Sequence, residues 1–248
     1  MKDTRVLMGM PITVEIIDPS AGPSHLEQVF DYFHYVDGKF STYKDDSEIS
    51  AINRHEISVA QSSPEMRTVF ALSEQTRQET GGYFDIQRDG RYDPSGLVKG
   101  WAIYHAAEIL WAAHFENFYV DAGGDIQAAG RNRQGGLWRV GIRHPFNPAQ
   151  IVKVLAVGNA GVATSGTYVR GQHIYRPQEP GVLETDIVSL TVVGPNIYEA
   201  DRFATAGFAM GRDGIQFIDS LEGFEGYMID RTGQATLTSD FGRYVVND

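Results

Sequence analysis

Helical and strand-like stretches are segregated along this chain rather than alternating, and that order narrows the fold more than any single motif does. Leu26, Val29, Phe30 and Phe33 recur at helical spacing, as do Met66, Val69, Phe70 and Leu72. Ser24-His25-Leu26-Glu27 reads as a capping box, with Ser24 as N-cap and a helix running to Asp37. Asp45-Asp46-Ser47 offers a second cap before Ile49 and Ile52. Ser63-Pro64 opens another helix, which Gly81-Gly82 closes. Leu97 to Ala113 completes the helical first half.

The middle of the chain is strand-like. Thr13 to Ile17 alternates, and Phe118 to Asp121 reads as a strand ending in a Gly-Gly turn. Trp138 to Ile142 and Val152 to Val157 read as partners across a turn at His144 to Pro148. Ile187 to Val193 is a nearly continuous apolar run, broken only by Ser189 and Thr191, which predicts a strand buried on both faces. Tyr198 to Met210 returns to helical spacing, with Gly211 as its stop. A short helix over Asp213 to Leu221 and strands at Gly226 to Ile229 and Tyr244 to Val246 complete the reading. This order predicts an α+β fold with mixed or antiparallel sheets, rather than a regular doubly wound sheet. No linker, repeat or low-complexity stretch divides residues 1–248, so one large domain is expected.

Bulk properties exclude several classes. The net charge is −11, from 32 acids against 21 bases, which disfavours a nucleic-acid binder. With no cysteine there are no disulfides, zinc–thiolate sites or cysteine nucleophiles. No run of about 20 apolar residues exists to form a transmembrane helix. As the chain is given, a cytoplasmic location is expected; a leader preceding it would instead make it periplasmic or membrane-anchored. No Gly-x-Ser-x-Gly elbow is present, and no Gly-x-Gly-x-x-Gly follows a strand and opens a helix.

The chemistry-bearing residues fall in four segments. Asp201 and Thr205 are four apart in an apolar helical stretch, so their oxygens share one face. A carboxylate and a hydroxyl so placed can hold a hard cation such as Mg²⁺. The same spacing also suits an acid facing the helix dipole, with Thr205 bonded back to a carbonyl. Asp93 to Gly100 resembles the end of a phosphate loop but carries Gly100 where that motif needs Ser or Thr after Lys99. Lys99 near a helix start can meet a phosphate, or be a solvated lysine after a turn. Gly123-Gly124-Asp125 lets backbone approach a ligand, and equally makes an ordinary turn. Thr164-Ser165-Gly166 offers hydroxyls and a flexible backbone, with His173 downstream as a candidate general base. Together the segments point to a Mg²⁺-dependent enzyme acting on a nucleotide-like diphosphate.

These segments occur in the order of a known family. With Phe40-Ser41-Thr42-Tyr43, Ser47-Glu48-Ile49-Ser50, Asn53, Thr80-Gly81-Gly82-Tyr83-Phe84-Asp85 and Val162-Ala163 added, the chain resembles the FAD:protein FMN transferases (ApbE-type flavin transferases). The resemblance implies a T-fold-like flavin transferase architecture, with FAD in a cleft between two subparts and Mg²⁺ at its pyrophosphate. It implies Asp201, Thr205 and the Val98 carbonyl as metal ligands, and His173 as the catalytic base. It also implies that Tyr43, Asn53, Asp85, Lys99, Gly123, Gly124, Asp125, Thr164, Ser165 and Gly166 line the FAD site. The implied reaction moves FMN from FAD to a Thr hydroxyl of an acceptor protein, releasing AMP. Two other activities would use the same site: a metal-dependent FAD pyrophosphatase giving FMN and AMP, and an FAD-binding protein without turnover. The family commonly has Ala where this chain has Val98, and an acidic residue where it has Arg176.

Overall fold

The structure, a computed structural model, describes residues 1–166 and 186–246. Its centre is an eight-stranded sheet in which every pairing is antiparallel. The strands are β1 (Lys2–Leu7), β2 (Met10–Ile16), β5 (Phe118–Ala122), β6 (Asp125–Ala129), β9 (Ala160–Gly166), β10 (Ile187–Gly194), β11 (Glu225–Asp230) and β12 (Ala235–Leu237), lying side by side in that order. The remaining strands form two hairpins outside the sheet, β3 (Gln87–Arg88) with β4 (Arg91–Tyr92), and β7 (Trp138–His144) with β8 (Asn147–Val157).

Helices cover one face of the sheet and the long hairpin covers the other. The helices are α1 (Pro23–Phe40), α2 (Glu48–Asn53), α3 (Pro64–Glu79), α4 (Ser95–Ala112), α5 (Ile197–Met210) and α6 (Gly214–Asp219). The larger core lies on the helical side, where Phe30, Phe33, Leu97, Ile103 and Phe208 meet Ile12, Val120 and Leu190. A second core joins the hairpin residues Trp138, Val140, Ile142 and Leu155 to Val162, Val193 and Tyr227. The central strands are therefore buried on both faces, as the apolar run of β10 predicts.

Most helix boundaries follow their capping residues. Ser47 and Ser63 accept from the N–H groups of Ser50 and Met66. Gly211 ends α5 at φ +68°, a conformation that glycine takes without a Cβ clash. The first helix departs from expectation. It begins one residue before Ser24, because Pro23 sits readily at a first helical position, where no N–H is needed. Gly22 is the cap, and its N–H donates to Nδ1 of His25 (3.0 Å). Glu27, expected in the capping box, instead pairs with Arg5 of β1 (2.8 Å).

Three further expectations are corrected. Tyr244 to Val246 is not a strand; a 3-10 turn occupies Phe241–Tyr244 and only Val245 bridges to Leu155. Thr164-Ser165-Gly166, read as a flexible backbone, is instead the end of β9, paired along β10. Lys2–Leu7, to which the sequence reading assigns no strand, forms the edge strand β1. Its side chains are largely solvated, so they leave only a weak hydrophobic signature.

The helix α5 is seated on the sheet by two buried devices. Gln127 in β6 accepts from the N–H of Ile197 through Oε1 (2.8 Å) and donates through Nε2 to the Ala160 carbonyl (3.3 Å). It thereby satisfies a free N–H at the start of α5. Gly161 of β9 lies directly beneath, where any Cβ would overlap the backbone of Asn196 and Ile197. Arg202 ties the other side of α5 to α3. Its guanidinium bonds Glu199 (2.8 Å) and Thr76 (3.2 Å), and also pairs with Glu79.

Candidate active site

Three charged side chains from distant parts of the chain meet at the crossing of α4 and α5. Lys99 comes from the second turn of α4, Asp125 from the start of β6 and Asp201 from the second turn of α5. The Lys99 ammonium pairs with Asp125 and lies 3.2 Å from Oδ1 of Asp201. Oδ2 of Asp201 accepts from the Gly100 N–H at 2.8 Å. Oδ1 of Asp125 accepts from the Thr164 N–H, also at 2.8 Å. Both carboxylates are almost fully buried, and such charges persist only where they are paired and hydrogen-bonded.

The close approach of the helices depends on Gly100. A Cβ there would lie 2.6 Å from Cβ of Asp201 and 2.8 Å from the Ile197 carbonyl. Burial pushes the Asp201 carboxyl up to about 6; Asp125 adds to the rise, while Lys99 and the Gly100 N–H oppose it. Its charged form is therefore costlier than that of an exposed carboxylate, and the neighbouring Lys99 ammonium offsets part of that cost. Burial likewise raises the carboxyl of Asp121, four residues before Asp125, against a bond from the Gly124 N–H (2.8 Å).

One turn beyond Asp201, Thr205 donates to the Gly96 carbonyl at 3.4 Å, so it reaches the first turn of α4. Val98 belongs to the same turn; its side chain is in the core, leaving only its backbone carbonyl for a ligand. A carboxylate, a hydroxyl and helix-start carbonyls form a set of hard oxygen donors, which suits Mg²⁺. Among the described residues, no three His, Cys, Asp or Glu side chains converge. A cation here would complete its shell from water and ligand phosphate, as Mg²⁺ ordinarily does.

The remaining candidate residues are held by other elements. Gly123 and Gly124 form a two-residue turn from β5 to β6, with φ of +65° and +101°. Positive φ at both positions is the geometry that joins antiparallel strands tightly. Along β9, Val162 enters the hairpin-side core and Ala163 the helix-side core. By alternation Ser165 faces the helices and the charged knot. Thr164 faces away, its hydroxyl 2.9 Å from that of Thr191, and touches the site only through its N–H. Gly166 is buried at the end of the strand.

Asn53 braces the chain from a distance. Its amide donates to the Tyr92 carbonyl (2.9 Å) and accepts from the Tyr92 N–H (2.7 Å). That pair of hydrogen bonds holds β4 against α2 beside a polar cavity of about 290 Å³. The cavity is lined by Thr42, Asn53, Arg54, Arg91, Tyr92 and Asp93, among others, the last lying just before α4 begins. Tyr43 is 97% exposed on the adjacent loop. Asp85 accepts from the Gln87 N–H (2.8 Å), closing a local turn. His173 lies outside the described residues.

Sequence reasoning gave no role to Gln127 or Arg202, and read Gly96 and Gly100 only as part of a segment resembling a phosphate loop, not as the points where α4 meets α5. A glutamine and an arginine inside apolar segments were the available signals, since a buried polar side chain must have partners.

The ApbE family's sequence model matches residues 8–90 and 86–228, nearly the whole chain. The chain belongs to the ApbE family. Among curated relatives, the FAD:protein FMN transferase of Salmonella typhimurium is 29% identical over 168 residues, covering 63% of this chain and 48% of its own. That of Escherichia coli K12 is 30% identical over 155 residues, covering 59% and 44%. The chain thus spans about half the length of the curated relatives it matches. The ApbE fold is shared with solved structures. The flavin transferase ApbE from Vibrio cholerae superposes with a TM-score of 0.87 at 24% identity, covering 98% of each chain. The ApbE protein from Thermotoga maritima superposes with a TM-score of 0.88 at 20% identity, covering 100% of this chain and 99% of its own.

Proposed function

We propose that this ApbE-family chain transfers FMN from FAD to a threonine hydroxyl of an acceptor protein, with Mg²⁺ held at Asp201, Thr205 and the Val98 carbonyl. The observation that carries this reading is the buried acid–lysine–acid knot with Thr205 one turn away. When bound, the metal would neutralise charge on the pyrophosphate and polarise the phosphorus under attack. The helix crossing at Gly100 fixes the Asp201 carboxylate, so its direction is set before any ligand arrives. The glycine turn at Gly123-Gly124 leaves backbone open to a phosphate or ribose. The net charge of −11 makes local cations and backbone N–H groups necessary for any dianionic diphosphate.

In the proposed step the acceptor oxygen bonds to the FMN-side phosphorus. The anhydride P–O bond breaks, AMP leaves, and the hydroxyl proton passes to His173. A threonine hydroxyl is a weak nucleophile, so a base near it is required. The polar cavity before α4 is proposed to seat the adenosine end of FAD, with Arg91 in its wall. Arg91→Ala is then expected to weaken FAD binding about tenfold, the scale of one charge-assisted hydrogen bond. Flavin fluorescence titration reads this directly, and an unchanged Kd would remove Arg91 from the site.

The deciding assay incubates the protein with FAD and Mg²⁺, with and without a flavin-acceptor domain, and follows AMP and acceptor mass together. AMP with an FMN-sized gain in mass supports transfer. AMP without a gain, in both arms, supports a pyrophosphatase that uses water. FAD that stays bound and intact supports a binding protein.

A further inference from the structure

Lys99 has a role that the transfer reaction alone does not require. Its ammonium spans two buried carboxylates from different elements. The two oxygens of Asp201 are used unequally. Oδ2 is held by the Gly100 N–H at 2.8 Å, while Oδ1 faces Lys99 at 3.2 Å. Oδ2 already accepts a backbone hydrogen bond, so Oδ1 is the more available oxygen of Asp201 for a metal. The ammonium and a divalent cation cannot both occupy that oxygen, since like charges a few ångströms apart in a buried site repel strongly.

We propose that Lys99 is a tethered cation that holds Asp201 when the metal site is empty and is displaced onto Asp125 when a divalent cation binds. This rests on the metal reading of Asp201 and Thr205. Asp125 is the second anchor that makes the exchange local. The Thr164 N–H fixes it at 2.8 Å, and it stays paired with the lysine throughout. The flexible four-carbon stem of lysine allows the head to move between the carboxylates without backbone change. The empty site is thereby kept intact and closed to weakly bound monovalent cations. The lysine competes with the divalent cation, so the native affinity is lower than the oxygen donors alone would give.

The test is Mn²⁺ binding to the full chain, read by electron paramagnetic resonance without FAD or acceptor. Lys99→Met is expected to bind Mn²⁺ at least about tenfold more tightly than the native chain, a gain of about 1.4 kcal/mol or more. Because that variant leaves Asp125 without its ion pair, a second variant joins Lys99→Met to Asp125→Asn. The pair removes one charge of each sign, and the tighter binding is expected to persist. Equal or weaker binding by Lys99→Met in a folded protein overturns the proposal. A gain that vanishes in the double variant also overturns it, since the gain would then come from Asp125 rather than from the vacated Oδ1. If Asp201→Asn binds Mn²⁺ as tightly as the native chain, the metal reading itself fails and the proposal falls with it.

Discussion

Asp201→Asn is expected to lower Mg²⁺-dependent AMP release from FAD by about 10³-fold or more, the worth of several kcal/mol of Lewis-acid stabilisation. The substitution is nearly isosteric. Its side-chain oxygen can still accept from the Gly100 N–H, and Lys99 keeps Asp125 as its counter-ion. The fold is therefore expected to survive, with a melting temperature within a few degrees of the native chain. What is lost is the negative charge that a hard cation requires. Measured side by side, turnover and thermal melting separate the two effects. A folded variant that keeps activity within about tenfold would remove Asp201 from the metal site.

Gly161→Ala is the largest expected structural effect. The strand β9 passes so close to the start of α5 that a methyl group at residue 161 would overlap the Asn196 and Ile197 backbone. Those atoms cannot rotate aside as a side chain could. The helix must lift, and Gln127 would lose its bond to the Ile197 N–H. A cost of about 3 kcal/mol, at the upper end for overpacking, would lower the melting temperature by about 10 °C in a chain of this size. Because α5 carries Asp201 and Thr205, FAD turnover should fall in step with the displacement. Denaturant unfolding that shows less than about 0.5 kcal/mol of change, the range of an ordinary surface substitution, would mean that the helix is not seated as described.

Much of this fold is written in local signals. Ser47, Ser63 and Gly211 mark helix ends because each satisfies or relieves a specific backbone group. The apolar run of Ile187 to Val193 marks a strand with a core on each side. Other elements are hidden for physical reasons. Thr164-Ser165-Gly166 looks flexible because its residues are small, as is Gly161, yet at that glycine the smallness serves the approach of α5. Lys2–Leu7 is an edge strand whose exposed side chains carry little hydrophobic pattern. The candidate site was legible residue by residue at Lys99, Asp125, Asp201 and Thr205. That the first three form one ion-paired knot was not, because the order of strands and the crossing of two helices bring them together. Lys99 in particular reads as a phosphate contact in sequence and as a carboxylate partner in space.

The unbroken order of the eight main strands bears on how the protein is made. Each new strand of the sheet joins beside the one made before it, so the sheet can lengthen at one edge as the chain leaves the ribosome. Lys99 and Asp125 are available early, but Asp201 and Thr205 emerge only after β10. A nascent chain halted before that point would hold a buried-type lysine and aspartate with no third partner and no helix over them. The knot of Lys99, Asp125 and Asp201 is thus completed late, and only in a molecule whose synthesis has passed the assembly of α5 onto the sheet.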